Sequence, residues 1–311
     1  MENKTEFNHT PVLLTEVIDR LDIKKDGVYA DLTVGGAGHS GEILRRLGEG
    51  GHLYCFDRDP DAAEIAKKRL SDIDTAGEFT VYNDNYSNID KYINEKADGI
   101  LIDCGISSYQ IDTRGMSYHS EQPLDMRMSK AGLSAYDIVN EYSESEISDI
   151  LWKYGEEKYS RSIAKNIVRT RIETDIKTTR QLAEVISNSV PFSYKRDRQP
   201  YSKTFQALRI AVNEEFLHLE IALEKAFSML KPGGRLLTIS FHSLEDRIVK
   251  TFYKNISQGC TCGYPKELCV CGKIPQGKIL TKKPIAPSEK ELAENNRSRS
   301  AKLRVICAVS E

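Results

Sequence analysis

Features that would mark several protein classes are scarce or absent in this 311-residue chain. It has one tryptophan, ten prolines, no internal repeat and no low-complexity stretch, while 40% apolar and 29% charged residues exclude a disordered chain. No apolar run approaches the roughly 20 residues of a membrane span, and the polar start lacks a secretory pattern. We therefore expect a cytoplasmic globular protein with two domains, or one domain with an insertion.

An excess of charge of either sign is also missing, since the formal net charge is −2. This excludes a uniformly basic, histone-like binder but not nucleic-acid binding, which depends on local charge. Residues 1–152 carry a net −14, residues 153–209 a net +7, residues 210–272 a net 0 and residues 273–311 a net +5. The two basic segments are either ordinary solvated surface or a phosphate-binding face.

The N-terminal third alternates between predicted strands and helices. Residues 26–34 are predicted to form a turn and then a strand, and further strands are predicted over 50–56, 79–82 and 97–103. Helices are predicted over 40–47 and 61–70. Residues 97–103 (ADGILID) form a nearly continuous apolar run, which is typical of a buried parallel strand. Together with strands over 235–241 and 303–309, the pattern predicts an α/β sheet.

A helical stretch interrupts this alternation. Helices are predicted over 135–154, 160–173 and 179–189, followed by one long helix over 205–230. We therefore predict a core made of residues 1–111 and 205–311, and an inserted helical domain over 112–204. Trp152 is expected in a hydrophobic core.

A glycine-rich turn, Gly35-Gly36-Ala37-Gly38, follows the first strand, and Asp57 ends the second. Such a turn lets backbone approach a ligand, and a strand-end carboxylate can accept bonds from ribose hydroxyls. A nucleoside-containing cofactor is therefore indicated, and both NAD and S-adenosylmethionine fit. Asp31, inside the first strand, suits a cationic amino-acid group better than a pyrophosphate.

Asp103 ends the fourth strand and precedes the polar segment Cys104–Gln110. Open α/β sheets bind ligands beyond the carboxyl ends of their strands, so Asp103 is expected to face the cleft. In a methyl transfer to an exocyclic amine, such a carboxylate could hold the N–H and take up its proton. Local capping of the turn is the alternative explanation.

At these residues the chain resembles the ribosomal RNA small subunit methyltransferase H (MraW-like) family. The resemblance runs nearly end to end. It is carried by DLTVGGAGHS (31–40), DRDPDA (57–62), DCGISSYQ (103–110), PLDMRM (123–128), YGEEKYSRSIA (154–164), KTFQALRIAVNEE (203–215), LKPGGRLLTISFHSLEDRIVK (230–250) and NRSRSAKLR (296–304).

The resemblance implies a class I (Rossmann-like) S-adenosylmethionine methyltransferase fold with an inserted helical domain. It also implies methylation of N4 of a cytidine in the decoding region of 16S rRNA, with that RNA or the small ribosomal subunit as partner. The cofactor-binding positions it implies are Ala37, Gly38, His39, Asp57, Tyr86, Asp103 and Gln110. The family commonly has glycine at Ala37, phenylalanine at Tyr86 and arginine at Lys203; the last difference predicts an altered RNA contact.

A basic run of the second segment lies beside Tyr194 and Tyr201, a combination suited to RNA phosphates and base stacking. We expect it to contact RNA; its members are Lys195, Arg196, Arg198, Lys203 and Arg209.

Four cysteines form a compact pattern, Cys260-x-Cys262 and Cys269-x-Cys271. In a cytoplasmic protein such a cluster indicates metal, although C-x-C is tighter than the usual zinc spacing. A structural zinc, free thiols and a redox disulfide all remain open. For the whole protein, the alternatives to an rRNA methyltransferase are an NAD-dependent oxidoreductase and a non-catalytic RNA binder in ribosome assembly.

Overall fold

The computed structural model describes residues 11–106, 108–119, 121–129, 131–197, 200–263, 268 and 270–309. The chain divides into two compact units. Unit 1 comprises Met1–Gly105 and Phe216–Glu311, and unit 2 comprises Ile106–Glu215. The helical unit thus begins before the predicted border at 112 and ends after the one at 204. A role of unit 2 in recognising RNA stays a prediction.

Unit 1 is built around a seven-stranded sheet. Its strands are β1 (Val28–Asp31), β2 (His52–Phe56), β3 (Glu78–Tyr82), β4 (Ala97–Asp103), β5 (Leu230–Ser240), β6 (Gly277–Ile279) and β7 (Lys302–Ala308). They lie in the order β3-β2-β1-β4-β5-β7-β6. The first five are parallel, whereas β7 pairs antiparallel with both β5 and β6.

Helices cover the sheet on both faces. Those of unit 1 are α1 (Leu14–Leu21), α2 (Gly38–Leu44), α3 (Pro60–Ser71), α11 (Glu215–Ser228, from the border with unit 2), α12 (Ser243–Ser257) and α13 (Glu289–Glu294). Side chains of β4 alternate between two hydrophobic clusters: Leu101 belongs to one, and Ile100 and Ile102 to the other. Burial on both faces explains why β4 reads as a nearly continuous apolar run.

Unit 2 is helical in its described residues and has its own hydrophobic cluster. Its helices are α4 (Ser108–Thr113), α5 (Ala135–Glu141), α6 (Glu144–Gly155), α7 (Ser160–Glu173), α8 (Thr179–Ser189), α9 (Phe192–Asp197) and α10 (Ser202–Asn213). Capping boxes at Ser134, Ser143 and Thr178 begin α5, α6 and α8, because each side chain accepts a bond from a backbone amide left open at the helix start.

Three predictions about the helices are wrong. The single helix over 135–154 is two helices, α5 and α6, because Tyr142 is extended (ψ 151°) and the capping box of Ser143 starts a new helix. The single helix over 205–230 is two helices, because Glu214 adopts the left-handed conformation (φ 49°) between α10 and α11. Trp152 is 63% exposed instead of buried. On α6 the buried positions are Ile147, Leu151 and Gly155, four residues apart, and this spacing turns Trp152 away from them.

Candidate active site at the carboxyl ends of β1, β2 and β4

The strand order predicts where unit 1 would bind a ligand. Chain crossovers leave β1 toward β2 on one side and reach β4 on the other, and a crevice opens at such a reversal beyond the carboxyl ends of the strands. Asp31 is the last residue of β1 and Asp103 the last of β4, while Asp57 directly follows β2. Three carboxylates are therefore brought to one edge of the sheet, as the sequence predicts for Asp57 and Asp103.

The glycine-rich turn between β1 and α2 contains two left-handed residues, Gly35 (φ 47°) and Ala37 (φ 60°). Ala37 is buried, and a residue with a Cβ in this conformation is strained, which occurs most often at functional sites. Gly38 has a different constraint, because a Cβ there would lie 2.6 Å from Cγ of Pro11. The conformation of the turn is thus fixed by backbone geometry and by its contact with Pro11.

Asp57 holds the turn in place. Its Oδ2 accepts the amide of Gly35 at 2.9 Å and its Oδ1 accepts the amide of Asp59 at 2.9 Å. Burial raises the pKa of Asp57 to about 6, the two amide bonds oppose that rise, and the charges of Asp59 and Asp31 add to it. A carboxylate has about four acceptor positions, so two remain for hydroxyl groups such as those of a ribose.

Asp31 lies beneath the turn and is buried. The hydroxyl of Ser40 donates to its Oδ2 at 2.6 Å and the amide of Thr33 to its Oδ1 at 3.1 Å. Burial raises its pKa, against the lowering effect of His39. Both oxygens of Asp31 are therefore bonded to the chain itself.

Asp103 carries the least satisfied polar atom of the site. Its buried Oδ1 has no hydrogen-bond partner within the described part of the chain, whereas its Oδ2 lies 3.8 Å from Nδ1 of His39. Burial raises the pKa of Asp103 to about 6, His39 lowers it, and the charges of Asp31 and Glu245 raise it further. A buried carboxylate oxygen without a donor costs free energy until a donor or a cation reaches it.

The orientation of His39 follows from its other nitrogen. Nε2 lies 2.9 Å from the carbonyl oxygen of Val12. Because a carbonyl only accepts, the assigned proton is on Nε2, and Nδ1 faces Asp103. His39 is buried, so the pair is held in one geometry.

The remaining predicted cofactor residues lie in two places. Tyr86 begins a 3₁₀ helix, Tyr86–Lys91, after β3 and packs at the edge of a core cluster of unit 1. Gln110 is buried on α4 of unit 2. Stacking of Tyr86 on an adenine and a bond from Gln110 to the cofactor stay predictions.

Sequence reasoning missed Glu245, which is 2% exposed on α12. Its Oε2 accepts the amides of Phe241 at 2.8 Å and His242 at 3.3 Å, and its charge raises the pKa of Asp103. The signal was present in the sequence: His242 and Glu245 have the spacing of a capping box at the start of a helix.

The predicted RNA-binding residues belong to unit 2. Lys195 lies on α9, together with the backbone of Arg196, whose side chain is not described, and Arg198 is outside the described residues. Nζ of Lys203 donates to the carbonyl oxygen of Glu156, the C-cap residue of α6, at 2.8 Å. Arg209 forms a bidentate ion pair with Glu215, at 2.8 and 2.9 Å, and its side chain is only 14% exposed. An RNA contact by Arg209 would have to open that pair; RNA binding by the five residues stays a prediction.

The cysteine cluster lies in unit 1, between α12 and β6. The sulfur atoms of Cys260, Cys262 and Cys271 lie within 4.8 Å of one another, and all three residues are exposed. Cys269, the fourth cysteine of the pattern, is outside the described residues.

The sheet is doubly wound and includes an antiparallel strand, β7. A glycine-rich turn follows β1, and acidic residues lie at the carboxyl ends of β1, β2 and β4. These features define the class I methyltransferase fold, which the family resemblance implies. The family model described as "MraW methylase family" matches residues 6–309. The chain belongs to this family.

Curated relatives agree over nearly the full length. "Ribosomal RNA small subunit methyltransferase H" of Clostridium botulinum (strain Kyoto / Type A2) is 51% identical over 307 residues, covering 96% of this chain and 98% of that protein. The protein of the same name from Ruminiclostridium cellulolyticum is 48% identical over 310 residues, covering 97% and 99%. A solved rRNA-methylase structure from Clostridium thermocellum covers 97% of this chain and 100% of its own, with 13% identity and a TM-score of 0.47, and contributes nothing to the assignment.

Proposed function

We propose that this methyltransferase transfers the methyl group of S-adenosylmethionine to N4 of a cytidine in the decoding region of 16S rRNA. The names of relatives that are about 50% identical support small-subunit rRNA as the substrate class. The choice of a cytidine N4 rests on the family resemblance.

One observation carries the choice of cofactor: the carboxylates of Asp31, Asp57 and Asp103 share one edge of the sheet. The charge of Asp31 raises the pKa of both other groups, so the three interact electrostatically. Like charges at one buried edge repel each other, and a bound cation relieves that repulsion. The site therefore favours a ligand with positive charges, such as a sulfonium and an ammonium, and disfavours the pyrophosphate of NAD.

The residues present fit S-adenosylmethionine in chemical type. Asp57 has acceptor positions left for the ribose hydroxyls, and the unpartnered Oδ1 of Asp103 needs a donor or a cation. S-adenosylmethionine supplies a methyl group made electrophilic by its sulfonium. The strained turn at Ala37 and the fixed pair of His39 and Asp103 hold the binding surface in one shape, which serves a reaction that depends mainly on alignment.

Asp103 is also the candidate to act on the base. With a pKa of about 6 it is mostly ionised at pH 7, so it can accept a hydrogen bond from an exocyclic amine and take up a proton. The base must first leave any stacked helix to reach such a carboxylate. Asp103→Asn keeps the size of the side chain and removes its charge, so a loss mainly in kcat indicates proton handling, and a loss mainly in KM for the cofactor indicates cofactor binding.

The experiment that tests the function is mass spectrometry of 16S rRNA nucleosides from cells with the gene, without it, and without it but carrying the Asp103→Asn gene. We expect N4-methylcytidine at one decoding-region position to disappear in the deletion, return with the wild-type gene and stay absent with Asp103→Asn. Undiminished N4-methylcytidine in the deletion would contradict the proposal. Purified enzyme offered naked 16S rRNA and assembled small subunits then identifies the substrate form.

Two alternative functions can be tested separately. Calorimetric titration with NAD and with S-adenosylmethionine tests the oxidoreductase, since NAD binding without S-adenosylmethionine binding would overturn our choice. A non-catalytic assembly factor would bind the subunit and leave nucleoside composition unchanged between the deletion and wild-type cells.

A further inference from the structure

The segment between α12 and β6 has a feature that methyl transfer does not use. Sulfur atoms of Cys260, Cys262 and Cys271 converge to within 4.8 Å of one another from two separate stretches of chain. A tetrahedral metal with bonds of about 2.3 Å to sulfur places its sulfur ligands about 3.8 Å apart. The observed cluster therefore needs only a small contraction to enclose an ion.

A left-handed glycine directly follows Cys262 and another directly follows Cys271. Each C-x-C pair is followed by a glycine in the left-handed region, Gly263 (φ 76°) and Gly272 (φ 63°), where a Cβ would be strained. On the first stretch the amide of Cys262 points at Sγ of Cys260, at 3.4 Å. An amide directed at sulfur stabilises a thiolate, and bonds of this kind orient and tune metal ligands.

The described residues around the cysteine cluster have little buried apolar surface. All its described residues from 260 to 276 are exposed, including Leu268 (69%), Val270 (100%) and Ile274 (60%). With so little apolar burial the segment gains little free energy from packing, so a metal bound by the three sulfur atoms would add directly to its stability.

We propose that Cys260, Cys262 and Cys271 bind a structural zinc ion through their sulfur atoms. Three Zn–S bonds form as the three thiols release their protons to solvent, with no change of oxidation state. Thiolate-rich tetrahedral sites select zinc among the common divalent ions, and carboxylate-preferring magnesium and calcium are disfavoured. In the sequence Cys269 is the fourth cysteine of the cluster; it lies outside the described residues, and the proposal commits to the three cysteines named.

The first test is the metal content of full-length protein purified under reducing conditions without chelator. We expect about one zinc per chain by mass spectrometry, and loss of most of it in Cys260→Ser and in Cys271→Ser. Cys307→Ser is the matched control, because Cys307 lies in β7, outside the cluster, and its Sγ donates to a carbonyl, which a hydroxyl can also do. The metal content of Cys269→Ser reports whether that residue completes the site.

A second measurement needs no variant. Replacing zinc with cobalt should give a thiolate-to-cobalt charge-transfer band and the visible bands of tetrahedral coordination. Chelation should speed trypsin cleavage after Lys273 about tenfold, because cleavage follows the population of the opened segment.

Three results would overturn the proposal. These are reduced protein without bound metal, iron as the main occupant, and zinc retained equally by Cys260→Ser and Cys307→Ser. A disulfide between two of the three cysteines in protein isolated from cells would assign the cluster to redox chemistry instead. None of these outcomes bears on methyl transfer, so the two proposals fail separately.

Discussion

Single residues decide the chemistry of the candidate site, and the sequence predicts them unevenly. Asp57 and Asp103 could be placed because a polar residue just after an apolar strand falls at the edge where ligands bind. The interaction between Nδ1 of His39 and Oδ2 of Asp103 could not, because it depends on how α2 is turned against β4. Glu245 was missed because its spacing from His242 indicates only a local capping role. Its effect on the pKa of Asp103 depends on how the chain folds and cannot be read from that spacing.

The raised pKa values of Asp57 and Asp103, both about 6, predict how cofactor affinity depends on pH. Below pH 6 both carboxyls are mostly protonated and neutral, so a cationic ligand loses their attraction. We expect the affinity for S-adenosylmethionine to fall as pH drops from 7 to 5, by up to about tenfold per pH unit for each group that ionises on binding. Calorimetric titration across this range measures it.

Variants assign the effect to the site. Asp103→Asn should weaken binding at pH 7 and reduce the slope of affinity against pH, whereas Asp74→Asn, at an exposed carboxylate, should change neither. A wild-type affinity that stays constant between pH 5 and 7 would show that these carboxylates do not face the cofactor's charge.

At the scale of elements, the ends were predicted unevenly: α7 and α8 match their predicted ranges, whereas β5 begins at Leu230 instead of at residue 235. A buried parallel strand is a nearly continuous apolar run, so β4 was found with its exact residues, 97–103. The break between α10 and α11 was missed because both sides share an apolar periodicity. Tertiary hydrogen bonds hold the end of α10. Asn213 is buried, its side-chain amide donates to the carbonyl oxygen of Met126 at 2.8 Å, and its Oδ1 accepts the backbone amide of Met128 at 2.9 Å.

The ion pair of Arg209 and Glu215 spans this break, and we predict that it stabilises unit 2. Its side chains are 14% and 10% exposed, so Arg209→Leu would leave the Glu215 carboxylate buried without its partner. We expect a loss of about 3 kcal/mol in the free energy of unfolding, measured by urea titration. The double variant Arg209→Leu/Glu215→Leu should recover part of it.

An exposed pair of the same unit is the control. Arg180 and Glu121 lie 3.5 Å apart with side chains 66% and 53% exposed, and Arg180→Leu should cost less than about 0.5 kcal/mol. Equal losses for Arg209→Leu and Arg180→Leu would mean that the buried pair has no special role, and would favour the original expectation that Arg209 serves RNA.

On the scale of the whole molecule, the near-zero net charge is a cancellation. Residues 1–152 carry −14, while residues 153–209 and 273–311 carry +7 and +5. The acidic part includes the carboxylates at the ends of β1, β2 and β4, which suit a cationic cofactor. No helix among the described residues is long and apolar enough to cross a membrane. Acidic and basic residues are thus concentrated in different segments of the chain.

This separation gives a prediction about RNA binding. Replacing Lys195, Arg196 and Arg198 by alanine should weaken binding to 16S rRNA and flatten its salt dependence, because fewer counterions are released. If all three contact phosphates of single-stranded RNA, the slope of log K against log salt should fall by about 2.

The matched variant replaces Lys67, Lys68 and Lys91, which are exposed in the acidic segment and carry the same total charge. Filter-binding titrations from low to high salt compare them. If both triple variants flatten the slope equally, only net charge matters and residues 195–198 are not an RNA-binding surface; a change confined to the first places the phosphate contacts in unit 2.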